Sequence, residues 1–143
     1  MSFAFDLISD LHIETWPEFD WTGLATSAHC VVAGDLARDR DVVINTLRHL
    51  ATCYQAVFYV DGNDEHRYHY SDLNASYADL VRRIKKIPNE VFLQDNVVVV
   101  DGVAILGTNG WWTYDLDPSI DAEQTSLWFQ DQCQVSALVA KTV

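Results

Sequence analysis

Three short segments of the sequence carry side chains that bind divalent cations. They are Asp10-Leu11-His12, Gly34-Asp35 and Gly62-Asn63-Asp64-Glu65. Carboxylate and imidazole groups hold metal ions in proteins, and an imidazole favours Mn, Fe, Zn or Ni over Mg or Ca. Each segment alone is common in loops, because Asp, Asn and Gly are the usual residues of turns. Their succession in one chain, each directly after an apolar run, predicts a metal site.

The elements that must position these segments are short apolar strands. Phe3–Ser9, His29–Ala33 and Ala56–Val60 are typical of strands, and the second and third suit strands that are buried on both faces. Ligands of an open α/β sheet collect beyond the carboxyl ends of its strands. Gly34 and Gly62 let the backbone turn sharply there. We therefore expect the three polar segments to meet at one edge of the sheet.

Helices and a hairpin complete the predicted fold. Apolar residues recur at helical spacing over residues 39–53 and 72–86, and a last helix is predicted over 119–141. Two apolar runs, 97–100 and 103–106, flank an Asp-Gly pair that favours a tight hairpin turn. This order predicts an α/β layered domain, with a mostly parallel sheet flanked by helices plus a hairpin.

Length and charge limit what the chain can be. Its 143 residues, 49% of them hydrophobic, suffice for one globular domain. Nine Lys and Arg residues stand against 21 Asp and Glu residues, and the formal net charge is -12. Such a field repels phosphate backbones, so we expect no nucleic-acid partner. The apolar runs are too short to span a bilayer, so we expect no membrane partner either.

The cysteines and the N-terminus bear on location. Cys30, Cys53 and Cys133 are odd in number, far apart and in no Cys-x-x-Cys spacing. They are therefore interpreted as buried thiols in a reducing compartment. The segment Met1–Asp6 lacks the basic region and long apolar core of a signal peptide. The expected location is the cytoplasm.

The ordered segments resemble the motifs of the calcineurin-like metallophosphoesterase family. That family's pattern is Asp-x-His, then Gly-Asp, then Gly-Asn-His-Glu/Asp, and the first two motifs match fully here. Residues 106–112 are also similar to the family's segment after the hairpin. The resemblance extends over essentially the whole chain, so it implies one domain over residues 1–143 with the layered fold of that family.

The resemblance implies a site for two divalent metal ions, with Mn, Fe, Zn or Ni as candidates. In that family pattern Asp10 and His12 would bind the first ion, Asp35 would bridge both, and the Asn63 side-chain oxygen would hold the second. Such a pair of ions activates water for in-line attack on a phosphate. The implied activity is hydrolysis of phosphate mono- or diesters, with a small phosphate ester as the substrate.

The sequence departs from the family pattern in two places. Asp64 stands where the family has a catalytic His, and His66, two residues further on, is a possible substitute. No histidine follows His69, so the family's later His and its Gly-His-x-His motif have no counterpart. These departures imply impaired activity and a missing C-terminal part of the usual fold. The chain is then expected to be the N-terminal portion of a longer enzyme or a shortened homologue.

Two other functions are compatible with parts of the sequence. A non-catalytic homologue would keep the fold and act as an association module, and a homo-oligomer would cover an exposed sheet edge. A phosphatase with a nucleophilic Asp is disfavoured, because Asp10 is followed by Leu11-His12 and not by the second Asp that such enzymes use as general acid.

Overall fold

The computed structural model describes residues 3–16, 19–67, 73–109 and 123–124. Two short 3-10 helices, Ile13–Thr15 and Asp64–His66, lie in the loops after the first and third strands. The strands and helices, in chain order, are β1 (Phe5–Ile8), β2 (His29–Ala33), α1 (Arg40–Cys53), β3 (Ala56–Val60), α2 (Leu73–Ile84), β4 (Glu90–Phe92), β5 (Asn96–Val100) and β6 (Val103–Gly107).

Four parallel strands form the main sheet in the order β1-β2-β3-β4. Each strand lies beside the next one along the chain, and such crossovers are almost always right-handed, which places α1 and α2 on the same face of the sheet. Strands β5 and β6 form a separate antiparallel hairpin. The predicted α/β architecture, with a parallel sheet, flanking helices and a hairpin, is confirmed at this level.

The core lies between the sheet and the two helices. Cys30 and Val32 of β2 and Val57 of β3 are fully buried there. They pack in one cluster with apolar side chains of the helices, namely Val43, Ile44, Leu47, Leu50, Leu80 and Ile84. Helix α1 begins at its N-cap Asp39, whose carboxylate accepts hydrogen bonds from two backbone N–H groups of the first turn. Apolar periodicity thus placed both helices correctly within a few residues.

The opposite face of the sheet is apolar and partly open. Phe5 and Leu7 of β1 point to this face. Leu7 is in register with Val31 of β2, and Val31 is in register with Phe58 of β3, so Phe58 points to the same face. Phe58 is buried, whereas Phe5 and Leu7 remain 48% and 65% exposed. Within the described part of the chain, this face therefore has less cover than the helix-bearing face.

The hairpin turn agrees with the sequence prediction. Val100 pairs with Val103, and the two residues between them, Asp101 and Gly102, have φ angles of 51° and 79°. Positive φ at both central positions is the geometry of a type I′ turn. The Asp-Gly pair therefore forms the expected turn.

The structure adds one strand and leaves one predicted helix untested. Strand β4 was not predicted, because three residues that follow Pro88 and Asn89 are too few to show a strand pattern. The predicted helix 119–141 and the aromatic pair Trp111-Trp112 lie outside the described residues, apart from residues 123–124. None of the described helices is long and apolar enough to cross a membrane.

Glu90 of β4 is expected to make stability depend on pH. Neither of its carboxylate oxygens has a hydrogen-bond partner among the described residues, and burial raises its pKa from 4.5 to about 9. Between these values the folded carboxyl keeps a proton that the unfolded chain has lost. The free energy of unfolding therefore falls as the pH rises from 5 towards 9, by at most ~1.4 kcal/mol per pH unit.

Glu90→Gln is expected to flatten this slope and to stabilise the protein at pH 8, since the amide has no charge to lose. Urea unfolding at several pH values between 5 and 9 measures it. Glu123→Gln, at an exposed position, is the control and should leave the slope unchanged. An unaltered slope in Glu90→Gln would contradict a neutral buried Glu90.

Candidate metal centre

Three of the predicted metal ligands meet in the structure. Asp10 and His12 follow β1, and Asp35 follows β2. One ligand atom from each of the three lies within 4.8 Å of the other two. Asp10 is exposed, and His12 and Asp35 are half-buried. Two carboxylates and an imidazole at this separation form a donor set that suits a transition-metal ion.

The backbone of these three residues is held in an unusual conformation. Asp10, His12 and Asp35 have φ angles of 50°, 45° and 53°, in the left-handed region that residues other than glycine rarely occupy. Hydrogen bonds fix the two loops to each other, from Asp10 N to Gly34 O and from His12 N to Asp35 O, each 3.1 Å long. Strained positions of this kind concentrate at functional sites.

The third loop closes onto Asp35 through Gly62. A Cβ on Gly62 would lie 2.7 Å from the Asp35 backbone nitrogen and closer still to Asp35 Oδ1. The Asp64 backbone N–H donates to the same Oδ1 at 3.0 Å. Glycine is therefore required at position 62, because any side chain would displace the carboxylate of Asp35.

Glu65 connects the loop after β2 to the loop after β3. Its side chain is buried, and its carboxylate accepts backbone hydrogen bonds from Leu36 (2.8 Å), Asp35 (3.2 Å) and Gly62 (2.9 Å). Burial raises the pKa of Glu65 to about 7; the hydrogen bonds from Leu36 and Gly62 oppose this rise, and the charge of Asp35 adds to it. Glu65 is thus a positioning residue for the backbone around Asp35.

The electrostatics at Asp35 favour a cation. Burial raises the pKa of Asp35, and the nearby carboxylates of Asp64 and Asp10 raise it further, while the hydrogen bond from the Asp64 backbone opposes the rise. A bound cation would relieve both the repulsion between these carboxylates and the cost of burying them. The charge at the site therefore fits a metal ion as well as the donor types do.

Asp64, which replaces the family's His, is surrounded by basic groups. Its side chain is only 3% exposed. Oδ2 lies 2.9 Å from Arg38 Nε and 3.3 Å from His12 Nδ1, and Oδ1 lies 3.1 Å from Arg67 Nη1. The Asp64 carboxyl oxygens accept hydrogen bonds from Arg38 and Arg67. Asp64 therefore pairs with basic groups beside the predicted metal ligands.

The contact between His12 and Asp64 has a consequence for metal binding. A metal-binding histidine usually donates its second ring N–H to a carboxylate, which fixes the tautomer and the ring orientation. Asp64 Oδ2 lies 3.3 Å from His12 Nδ1, so Nε2 is the ring nitrogen of His12 that lies away from this carboxyl group. His12, Glu14 and Asp64 also form a second acidic cluster. Arg38 Nε already lies beside both carboxylates of that cluster, so a guanidinium and not a metal ion balances their charge.

His66 is not placed to substitute for the missing catalytic histidine. It is 1% exposed, with Nε2 2.6 Å from Asp61 Oδ2 and Nδ1 2.9 Å from Ser76 Oγ. Arg40 donates to the same Ser76 oxygen. The 3-10 helix Asp64–His66 turns residue 66 inward beneath α2, and the resulting network is buried. The prediction that His66 could take the catalytic position is therefore not supported by the geometry.

Asn63 lies in the third loop next to this cluster. Its Nδ2 donates to Asp64 Oδ1 at 3.2 Å, so the side-chain oxygen faces away from Asp64. Its role as a ligand of the second ion stays a prediction. Neither the backbone hydrogen bonds of Glu65 nor the contact between Arg38 and Asp64 was predicted from the sequence. Arg38 could have been noticed as a basic residue three positions after Asp35 in an acidic chain. The sequence does not show which backbone groups bond to Glu65.

Comparison with known proteins supports the fold. No model of a protein family and no curated protein matches the chain. Among solved structures, the phosphopantetheinyl hydrolase PptH from Mycobacterium tuberculosis is similar, with a TM-score of 0.62 at 20% sequence identity. The match covers 93% of this chain and 52% of that chain, so this chain spans about half the length of its structural neighbour. At this identity the likeness shows the α/β fold alone.

Gly62→Ala is expected to weaken Mn²⁺ binding at least about tenfold, because the added methyl group displaces Asp35 and the site loses a ligand. Isothermal titration calorimetry with MnCl₂ measures the affinity. Gly102→Ala is the matched control. It introduces strain at a φ of 79° but meets no atom within 4 Å, so it should cost stability and leave Mn²⁺ binding unchanged. Equal Mn²⁺ affinity in Gly62→Ala and the wild type would contradict the site.

Proposed function

We propose that this chain is the metal-binding part of a calcineurin-like phosphoesterase that hydrolyses phosphate mono- or diesters. The observation that carries the proposal is the convergence of Asp10, His12 and Asp35 from two separate loops at the carboxyl ends of β1 and β2. These are the residues for which the motif resemblance implies metal binding. The third motif, with Asn63, closes onto Asp35 from the next strand.

Two divalent ions are the proposed cofactor. Asp10 and His12 would hold the first ion, Asp35 would bridge both and Asn63 would hold the second. When bound, such ions lower the pKa of a shared water and neutralise charge on a phosphate. The choice among Mn, Fe, Zn and Ni stays open, although the imidazole of His12 disfavours Mg and Ca.

The chain's own residues orient the ligands. Asp64 lies 3.3 Å from His12 Nδ1 and would steady the imidazole, and Glu65 holds the backbone N–H groups of Asp35 and Leu36. Both oxygens of Asp64 are engaged by arginines, so the proposal gives Asp64 no part in protonating the leaving group and leaves that step to water.

The solved neighbour supports this class of reaction. That neighbour is a phosphopantetheinyl hydrolase, and a shared fold makes hydrolysis of a phosphate ester the activity to test first. The likeness supports no particular substrate, because the identity is 20% and this chain spans 52% of that protein.

Metal content and hydrolysis test the proposal together. We expect about two equivalents of Mn per chain and measurable hydrolysis of bis(p-nitrophenyl) phosphate. Asp35→Asn should lower the bound Mn to one equivalent or less and the rate by at least about 100-fold, because the bridging charge is lost. Elemental analysis and nitrophenolate absorbance measure them. Asp101→Asn, at the exposed hairpin turn, is the control, and wild-type metal content in Asp35→Asn would contradict the assignment.

A second candidate function is association without catalysis, with a second copy of the chain as the partner. β1 lies at an edge of the described sheet, and its Leu7 is 65% exposed. Val99 and Leu106 of the hairpin, each 67% exposed, add apolar surface. Exposed apolar surface and an open strand edge both favour pairing between chains.

Light scattering after size-exclusion chromatography tests association. The wild-type chain should elute as a dimer at micromolar concentration, and Leu7→Gln should shift it towards the monomer, because the apolar contact is lost. Leu24→Gln, at a loop position that is 52% exposed, is the matched control. A monomeric wild type would exclude this function, and a dimer without bound metal would favour it over hydrolysis.

A further inference from the structure

His66 connects the loop after β3 to the two helices. Its Nε2 lies 2.6 Å from Oδ2 of Asp61, the first residue of this loop, and its Nδ1 lies 2.9 Å from Oγ of Ser76 in α2. The imidazole is 1% exposed. Arg40, the first residue of α1, donates to the same Ser76 oxygen at 2.8 Å. His66 therefore holds the loop to α2 directly and to α1 through Ser76.

The contact between His66 and Asp61 closes a short segment of chain into a ring. Four residues lie between the two, and Asn63, the proposed ligand of the second ion, is one of them. Within the ring the His66 backbone N–H donates to the Asn63 carbonyl at 3.2 Å. Joining both ends of so short a segment removes much of its conformational freedom. The backbone position of Asn63 therefore depends on how the ends are joined.

Asp61 in turn depends on His66 for its place. The Asp61 side chain is fully buried, and its Oδ1 has no hydrogen-bond partner among the described residues. Its Oδ2 accepts a second hydrogen bond, from Asn109 Nδ2, at 3.3 Å. A buried carboxyl group that loses a partner is costly. Without the imidazole, Asp61 would keep only the longer contact with Asn109, and the start of the loop would shift towards water.

Between its two joined ends, the loop meets the proposed bridging ligand Asp35. Gly62 packs against Asp35, and the Asp64 backbone N–H donates to Asp35 Oδ1 at 3.0 Å. A shift at either end of the loop would therefore move Asn63 and loosen these contacts. Removing a group that orients metal ligands from outside the ligand set typically weakens metal binding by about 10-fold to 100-fold.

We propose that His66 is a positioning residue for the second metal ion, because its bond to Asp61 sets where the loop after β3 presents Asn63. Both nitrogens of the ring contact protein groups, so the imidazole itself binds no metal. This role rests on the proposed function, in which Asn63 is the ligand of the second ion. It adds to that function the buried contact on which occupancy of the second site depends.

Two variants of His66 separate its two contacts. The side-chain amide of Gln reaches the position of Nε2 and can still donate to Asp61, whereas the amide of Asn reaches only the position of Nδ1. We expect His66→Asn to weaken binding of the second Mn²⁺ about tenfold or more and to leave the first unchanged. His66→Gln should recover most of the lost affinity. Isothermal titration calorimetry with MnCl₂ measures both affinities, and elemental analysis counts the bound ions.

Amide hydrogen exchange of the metal-free chain tests the positioning by itself. The backbone N–H groups of Gly62 and Asp64 bond to the side chains of Glu65 and Asp35, so they should be protected in the wild type and in His66→Gln. In His66→Asn they should exchange about tenfold faster or more, because the loop opens locally. The amides of β2 should keep their wild-type rates. Nuclear magnetic resonance measures each rate.

Ile84→Val is the matched control for a general loss of stability. Ile84 is a buried residue of α2, and the loss of one methylene destabilises the core modestly without removing either contact of His66. Both Mn²⁺ affinities and the exchange of the two loop amides should stay at their wild-type values. Thermal unfolding checks the fold of every variant. Should His66→Asn fail to fold, Asp61→Asn weakens the same bond and should change both readouts in the same direction.

The outcomes distinguish the role of His66 from the proposed function. Wild-type exchange of Gly62 and Asp64 in His66→Asn would overturn the role of His66, and so would an unchanged affinity for the second Mn²⁺. Equal losses in His66→Gln and His66→Asn would also overturn it, because the bond to Asp61 would not be the cause. A wild-type chain that binds no Mn²⁺ would overturn the proposed function. Faster exchange in His66→Asn alone would then still support His66 as the residue that holds the loop.

Discussion

The carboxylate of Glu65 accepts backbone hydrogen bonds from two loops at once, and the geometry of the site depends on it. Asp35 and Leu36 donate from one loop and Gly62 from the other. A buried charge is costly unless hydrogen bonds replace the lost water, and here the backbone provides them. Because Asp35 and Asp64 belong to these loops, their separation follows from where Glu65 holds the backbone.

The same acidic residue type has three functions within this small region, and the neighbours decide which. Asp10 and Asp35 face each other without an adjacent guanidinium in the described contacts, so their charge attracts a cation. Asp64 lies between Arg38 and Arg67, so it orients basic groups. Asp61 is buried against His66 and belongs to the internal network. A net charge of -12 therefore says little about any single acidic side chain.

Much of the fold followed from local patterns. Apolar periodicity placed α1 and α2, and the Asp-Gly pair placed the hairpin turn, because both signals come from residues close together in the chain. Strand β4 was not predicted, because its three residues become a strand only through their pairing with β3 in the assembled sheet. The direction of the His66 ring could not be predicted for a related reason. His66 is close to Asn63 along the chain, but the 3-10 helix turns its ring towards Ser76 of α2.

The sequence by itself determined which polar residues follow the strands. Since parallel strands end at a common edge, this was enough to bring Asp10, His12 and Asp35 together. Only the tertiary structure decided what Asp64, Glu65 and their neighbours do. The direction of each side chain around a tight turn depends on the groups packed against it. Those groups come from distant parts of the chain, and the sequence pattern does not record their positions.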